Sequence, residues 1–68
     1  MKGYELRENG HYWYRDEHRD WSICLAEFEA MEGEMFFNIY FMFDDQYYIA
    51  QDMEGEFIGP ITPSGVTP

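Results

Sequence analysis

The stretch EMFFNIYFMFDDQYYIAQD, residues 34–52, decides the fold. From Met35 to Phe43 every side chain except Asn38 is apolar. A strand with one face in water alternates apolar with polar residues, and this one scarcely does. In strand register Met35, Phe37, Ile39, Phe41 and Phe43 point one way, while Phe36, Asn38, Tyr40 and Met42 point the other. The first set reads as the core face. The second is too apolar for an ordinary solvent face, and three coverings compete for it. The domain itself can cover it, as a small and strongly curled barrel aided by the N-terminal segment. A second copy of the chain can cover it. A partner can dock on its aromatic and Met side chains, rimmed by acids. The first covering is the one the sequence favours.

Working outward, Glu32-Gly33 offers a turn before this strand and Asp44-Asp45 a turn after it. Upstream, Asn9-Gly10 precedes a strand over His11 to Arg15, and the polar run Asp16 to Asp20 turns the chain into Trp21 to Ala30. Downstream, a strand over Gln46 to Asp52 leads through Glu54-Gly55 into Glu56 to Ile61. Tyr, Phe, Trp and Ile suit such half-buried pleated surfaces. The expectation is an all-β fold: a single small antiparallel meander or partly open barrel of about five strands. It forms one domain over residues 1–68, in which 60–68 is an extended, proline-containing tail. Residues 24–32 also fit a turn or two of helix, with Leu25, Phe28 and Met31 at helical spacing. As a strand, the segment puts Ile23 and Leu25 on one face and Ala26, Phe28 and Ala30 on the other, which predicts a bulge near Leu25.

Sixty-eight residues make a core that is only just sufficient, and six Phe, six Tyr and two Trp supply large buried areas for it. Cys24 is the only cysteine, so no internal disulfide and no cysteine-rich zinc site is expected. It lies in an apolar run and reads as an inert buried thiol. The opening residues hold no apolar run of signal-peptide type, and the longest apolar stretch is too short to span a bilayer. The reading is a soluble, reduced, cytoplasmic chain with no membrane partner.

Charge is unevenly placed. Lys2, Arg7, Arg15 and Arg19 all lie in the first 19 positions, balanced by Glu5, Glu8, Asp16 and Glu17. From Asp20 onward there are ten acids and no Lys or Arg, so the net charge of −10 belongs to that part. Direct nucleic-acid binding is excluded on this pattern, because it depends on Lys and Arg neutralising phosphates. The acidity reads either as solubility for an aromatic-rich chain or as complementarity to a partner with a basic surface.

Few constellations suggest chemistry. His11, Asp16, His18 and Asp20 could ligate a transition metal, but their separation crosses a turn and matches no ligand spacing. Asp44, Asp45, Asp52, Glu54 and Glu56 could hold calcium, but lack the order of acids and the glycine of an EF-hand loop. No phosphate loop, triad order or activated cysteine is visible, so no catalytic residue, metal or cofactor is expected, and the chain reads as a non-enzyme. Glu27 and Glu29 project from one strand face at about 7 Å, near the spacing of successive phosphates on one strand. With Glu32, Glu34, Asp44 and Asp45 they suggest an acidic surface for a basic nucleic-acid groove.

The segments GHYWYR (10–15), Trp21 in DWSICLAEF and GEFIGPITP (55–63) resemble a group of small phage and prophage proteins. Those proteins start with Gly-Tyr-Tyr-Trp and a basic residue, and they finish near Ile-Gly-Pro-Arg-Ile. Here Ile61 stands where the basic residue follows Gly-Pro. The resemblance covers about 50 residues and implies a phage-encoded accessory protein of counter-defence type, acting in the host cytoplasm. It implies no catalytic residues.

The resulting expectation is an inhibitor or interaction module that binds a host nucleic-acid-handling or defence protein. Glu27, Glu29, Tyr40, Met42, Asp44, Asp45 and Tyr47 are its candidate partner-binding residues. A first alternative is an oligomeric sponge for a signalling nucleotide, using Tyr12, Tyr14 or Tyr48 with Arg7, Arg15 and Arg19. A second is a structural homo-oligomer.

Overall fold

The computed structural model of the protein describes residues 1–42 and 44–61. Five antiparallel strands form one open sheet: β1 (Gly10–Asp16), β2 (Arg19–Met31), β3 (Glu34–Phe41), β4 (Tyr47–Ile49) and β5 (Glu56–Ile61). The spatial order is β4-β3-β2-β1-β5. The first four strands are a meander as expected. The fifth is not its continuation: β5 returns to the far edge and pairs with β1, through Tyr14↔Phe57 and Trp13↔Ile58. Single-turn 3-10 helices at Gly3–Glu5 and Ala50–Asp52 complete the fold, and the second shortens the strand expected over Gln46 to Asp52.

Local sequence sets the turns. Glu32 and Gly33 both have positive φ, 51° and 85°, so the β2–β3 hairpin closes in two residues with the twist its strands require. Gly33 supplies the left-handed position without steric cost. At the β1–β2 turn the Asp16 Oδ1 accepts the His18 N–H at 2.8 Å, an Asx-type brace for Glu17 and His18.

Side-chain alternation is nearly strict. Tyr12, Tyr14, Cys24, Ala26, Phe37, Ile39, Phe41 and Phe57 face the concave side and are buried, joined there by Leu6 and Ala50. Thus Phe37, Ile39 and Phe41 take the core face expected of them, whereas Met35 at the start of β3 is exposed. Phe43 and the tail beyond Ile61 lie outside the described residues, while Pro60 and Ile61 belong to β5. The rings pack edge-on or tilted, Tyr14 against Phe57 at 4.7 Å and against Phe41 at 5.8 Å. Both buried tyrosines keep a polar partner: Tyr12 donates to the Glu8 carbonyl at 2.7 Å, and Tyr14 donates to Asp16.

Residues 24–31 are strand, not helix, and the bulge expected near Leu25 is absent. Both of its faces are apolar, so no change of face is needed. The register shifts fall elsewhere: between Tyr14 and Asp16 against β2, and between His11 and Trp13 against β5. Bulges there increase the local twist, which helps fold β5 over the core. The free edge of β5 is paired in turn by Met1, which exchanges two 2.7 Å backbone hydrogen bonds with Phe57.

The expected self-covering of the second face does not occur. Leu6 joins the core and Gly3 lies against Ala50, so the N-terminal segment covers the concave side. On the convex side Trp13, Tyr40, Met42, Tyr47 and Ile58 are exposed, and Ile23 and Leu25 are half-buried between them. Asn38 is buried on this face because its Nδ2 donates to Glu29 Oε1, and its carbonyl oxygen has no partner. No helix among the described residues is long and apolar enough to cross a membrane.

Candidate functional site

Two surfaces emerge, and the candidate residues divide between them. At one end of the sheet three separate connections come together. The β1–β2 turn brings Asp16, Glu17 and Asp20, the β3–β4 loop brings Asp44 and Asp45, and the segment entering β5 brings Asp52, Glu54 and Glu56. Lys2, Arg15 and Arg19 are the Lys and Arg side chains found with these eight acids. A cleft of about 560 Å³ opens between the β1–β2 turn and residues 52–55, with Tyr14, Phe41, Tyr48 and Met53 among its lining.

Hydrogen bonds organise this acidic pole. Tyr48 donates to Asp44 Oδ2 at 2.6 Å, and Asp44 Oδ1 accepts the Gln46 N–H at 3.1 Å. The tyrosine bond, ahead of the backbone one, holds the Asp44 carboxyl below its ordinary range, and the same bond raises the Tyr48 phenol. Asp16 is likewise held low, first by the Tyr14 hydroxyl. Tyr14 is pushed up to about 12 by burial and then by that bond. Arg19 lies 3.9 Å over the Phe41 ring and 3.9 Å from Asp44 Oδ2, so the one arginine facing the cleft is already engaged. Both carboxylates therefore stay ionised through the neutral range.

Of the candidate partner-binding residues, Met42, Asp44, Asp45 and Tyr47 lie at or beside this pole. Met42 is 75% exposed. Tyr40 and Tyr47 pair across β3 and β4, ring centroids 6.0 Å apart, on the convex face. Glu27 and Glu29 do share a face, but toward the opposite end: Glu27 pairs with Asn38 and Glu29 with Phe36, three and five residues, about 10 and 17 Å along β3, from Phe41, where the chain turns toward Asp44. The acidic surface expected to join Glu27, Glu29, Glu32 and Glu34 to Asp44 and Asp45 is thus two separate surfaces. Glu29 is also occupied by Asn38.

Sequence reasoning missed Trp13, Ile58, Ile23 and Leu25 on the convex face, and it named Asp16 for a transition metal and Asp52 and Glu54 for calcium without bringing the two sets together, with Glu17, around one cleft. The first group carries a local signal, since Trp13 alternates with two core tyrosines in HYWYR. For the second, the local clusters are visible but their meeting is not, because Asp16 and Glu17 reach Asp52 and Glu54 only through tertiary structure.

Of the groups named for nucleotide binding, Tyr48 and Arg19, which both line the cleft, meet at Asp44, while the others do not join them there. Tyr12 and Tyr14 are 1% and 2% exposed, which removes them from any stacking role. Arg7 is bonded to the carbonyls of Tyr4 and Leu6, Arg15 lies over Trp21, and Arg19 lies over Phe41. Among the described residues no group of three or more His, Cys, Asp or Glu is placed to hold a metal ion. Cys24 is buried, and burial pushes its thiol up to about 12, away from any nucleophilic role.

Comparison with protein-family models, with curated proteins and with solved structures finds no match to this chain.

Proposed function

We propose that the protein is a non-enzymatic binding module whose ligand is the basic surface of another protein, docked at the acidic pole. The observation that carries this reading is the gathering of eight carboxylates from three connections at one end of the sheet, four of which, Asp16, Glu17, Asp52 and Glu54, line an open cleft together with His18 and Arg19, while Met42 and Tyr47 stand exposed at the same end. Clefts lined by one sign of charge focus the field and speed encounter with an oppositely charged partner. Proteins that handle nucleic acid carry such basic grooves. An anionic module seated in one competes with the nucleic acid, which is how a phage accessory protein would inhibit a host defence or replication factor.

The test is retention of purified nucleic-acid-binding proteins on the immobilised domain, at about 50 and 300 mM salt, with duplex DNA as competitor. Retention should fall with salt and with DNA, and should be lost in a variant carrying Glu17→Gln, Asp45→Asn and Asp52→Asn, three exposed acids of the pole. Retention indifferent to both salt and these neutralisations would sink the reading.

A further inference from the structure

Arg19 opens β2 at the acidic pole, cross-strand from Asp16. Its guanidinium carbon lies 3.9 Å from the centroid of the Phe41 ring, and one terminal nitrogen lies 3.9 Å from Asp44 Oδ2. The second distance makes an ion pair but not a hydrogen bond. Among the described residues no guanidinium N–H of Arg19 has a protein acceptor, and 37% of the side chain is exposed. Stacking and charge alone hold it.

The seat beneath it is fixed more firmly. Phe41 is 6% exposed, and its ring packs edge-on against Tyr14 and Tyr48, each with its centroid 5.8 Å away. Asp44 is fixed through both carboxylate oxygens, by the Tyr48 hydroxyl and the Gln46 N–H. None of these contacts involves Arg19, so ring and carboxylate keep their places when it leaves. Arg19 also has room to leave. Besides the cleft, Arg19 and Phe41 line a second cavity of about 420 Å³, whose other walls include Trp13, Trp21 and Met42. The guanidinium stands between the two spaces, over a ring that both share.

We infer that Phe41 and Asp44 form a guanidinium subsite of the acidic pole, occupied in cis by Arg19 and given over to an arginine side chain of the basic partner. The inference rests on the reading of the pole as a docking site and names the side chain selected there. A planar, weakly hydrated guanidinium stacks on a ring face, while a compact ammonium keeps its hydration shell, so the subsite prefers arginine to lysine. Arg19 is a tethered competitor. A tethered group works at an effective concentration of about millimolar, so a lone cation meets a filled seat. An arginine whose own chain is anchored on the surrounding carboxylates is tethered as well, and competes on equal terms. The seat thereby screens out single cations and admits those carried on a surface that fits the pole.

The probe is N-acetylargininamide, titrated into isotope-labelled protein and followed at the Phe41 and Tyr48 ring resonances, with far-UV circular dichroism confirming the fold of each variant. Arg19→Ala should bind it about tenfold more tightly than the wild-type chain, and Arg19→Gln carries the same test if the alanine variant does not fold. Arg15→Ala, which removes an equal charge from the same end, should stay within about twofold of wild type. On Arg19→Ala, N-acetyllysinamide should bind about threefold or more weakly than the arginine amide, and adding Asp44→Asn should remove most of the gain. Hexa-arginine added to the wild-type chain should move the Arg19 side-chain protons, shielded by the Phe41 ring, to the positions of an exposed arginine as the peptide saturates. Three results overturn the inference: equal affinity in Arg19→Ala and Arg15→Ala, no preference for arginine over lysine, or an Arg19 that stays shielded in the peptide complex. Neutralising Glu17, Asp45 and Asp52 should abolish retention of basic proteins yet leave the subsite of Arg19→Ala open to the arginine amide, which separates this test from that of the acidic pole. A wild-type chain that binds no hexa-arginine, beside an Arg19→Ala variant that binds the amide, would overturn the docking role of pole and subsite alike.

Discussion

Tyr14 and Asp16, two residues apart on β1 with both side chains turned to the concave side, are joined by a 2.7 Å hydrogen bond from the phenol to Oδ2. The same phenol oxygen accepts the Gly55 N–H at 3.1 Å, so one buried side chain ties the β1–β2 turn to the entry of β5. That link holds together two of the three connections forming the acidic pole. Tyr14→Phe keeps the ring in the core but leaves the Gly55 N–H buried without an acceptor. The expected loss is about 1–3 kcal/mol in urea unfolding, the cost of an unsatisfied buried donor.

The same two residues make stability depend on pH at both ends, through the bond for Asp16 and through burial first and the bond second for Tyr14. Asp16 is held below its ordinary value in the fold, so its contribution is present above the unfolded carboxyl pKa and is lost as pH falls through the folded one. Tyr14 is raised from 10.0 to about 12, so its contribution is present below pH 10 and is lost as pH rises toward 12. Tyr12 is raised by burial and adds in the same direction. Urea midpoints measured at pH 9 and above should fall steeply beyond pH 10, and Tyr14→Phe should flatten both limbs. An alkaline limb unchanged in that variant would assign the titration to other groups.

Cys24 is 1% exposed, and its thiol is pushed up to about 12 by burial, so almost no thiolate exists at pH 8. Alkylation should therefore require opening of the sheet. Iodoacetamide should label the folded protein about a hundredfold or more slowly than the urea-unfolded chain, and the labelling should track the unfolded fraction. Rapid labelling under native conditions would show that β2 opens locally between β1 and β3.

How much of this was legible follows from range along the chain. The parity of β3 could be read directly, because Phe37, Ile39 and Phe41 alternate with Asn38 and Tyr40. The β2–β3 turn was visible in Glu32-Gly33. The pairing of β5 with β1 was not, since Phe57 and Tyr14 are 43 positions apart and nothing local distinguishes β5 from the next strand of a meander. The supposed bulge at Leu25 came from the premise that all apolar residues seek one core. Ile23 and Leu25 instead belong with Trp13 and Tyr40 to a second apolar face. The acidic pole was legible only in its parts: Asp44 and Asp45 stand out as neighbours, whereas Asp16 and Asp52 join them through the curl of the sheet.

Two glycines separate close approach from backbone preference. A Cβ on Gly55 would overlap the Arg15 carbonyl oxygen and lie 2.6 Å from the Tyr14 ring and hydroxyl. Both neighbours are fixed: Arg15 is strand backbone paired with Glu56, and Tyr14 is the core residue that accepts the Gly55 N–H. Gly33 has open space around its Cβ direction, and only its φ of 85° opposes a side chain. Gly33→Ala should therefore cost about 1–2 kcal/mol, the ordinary penalty of a left-handed residue. Gly55→Ala should cost more, because β5 must shift from β1 and the Tyr14 bond is lost with it. Thermal unfolding of the pair ranks them, and the Asp16 titration separates the causes. In Gly55→Ala the displaced Tyr14 should release Asp16 toward its ordinary value, and in Gly33→Ala Asp16 should stay low. Equal losses in both variants, with Asp16 unmoved, would mean that β5 accommodates a methyl group by sliding along β1 without disturbing the acidic pole.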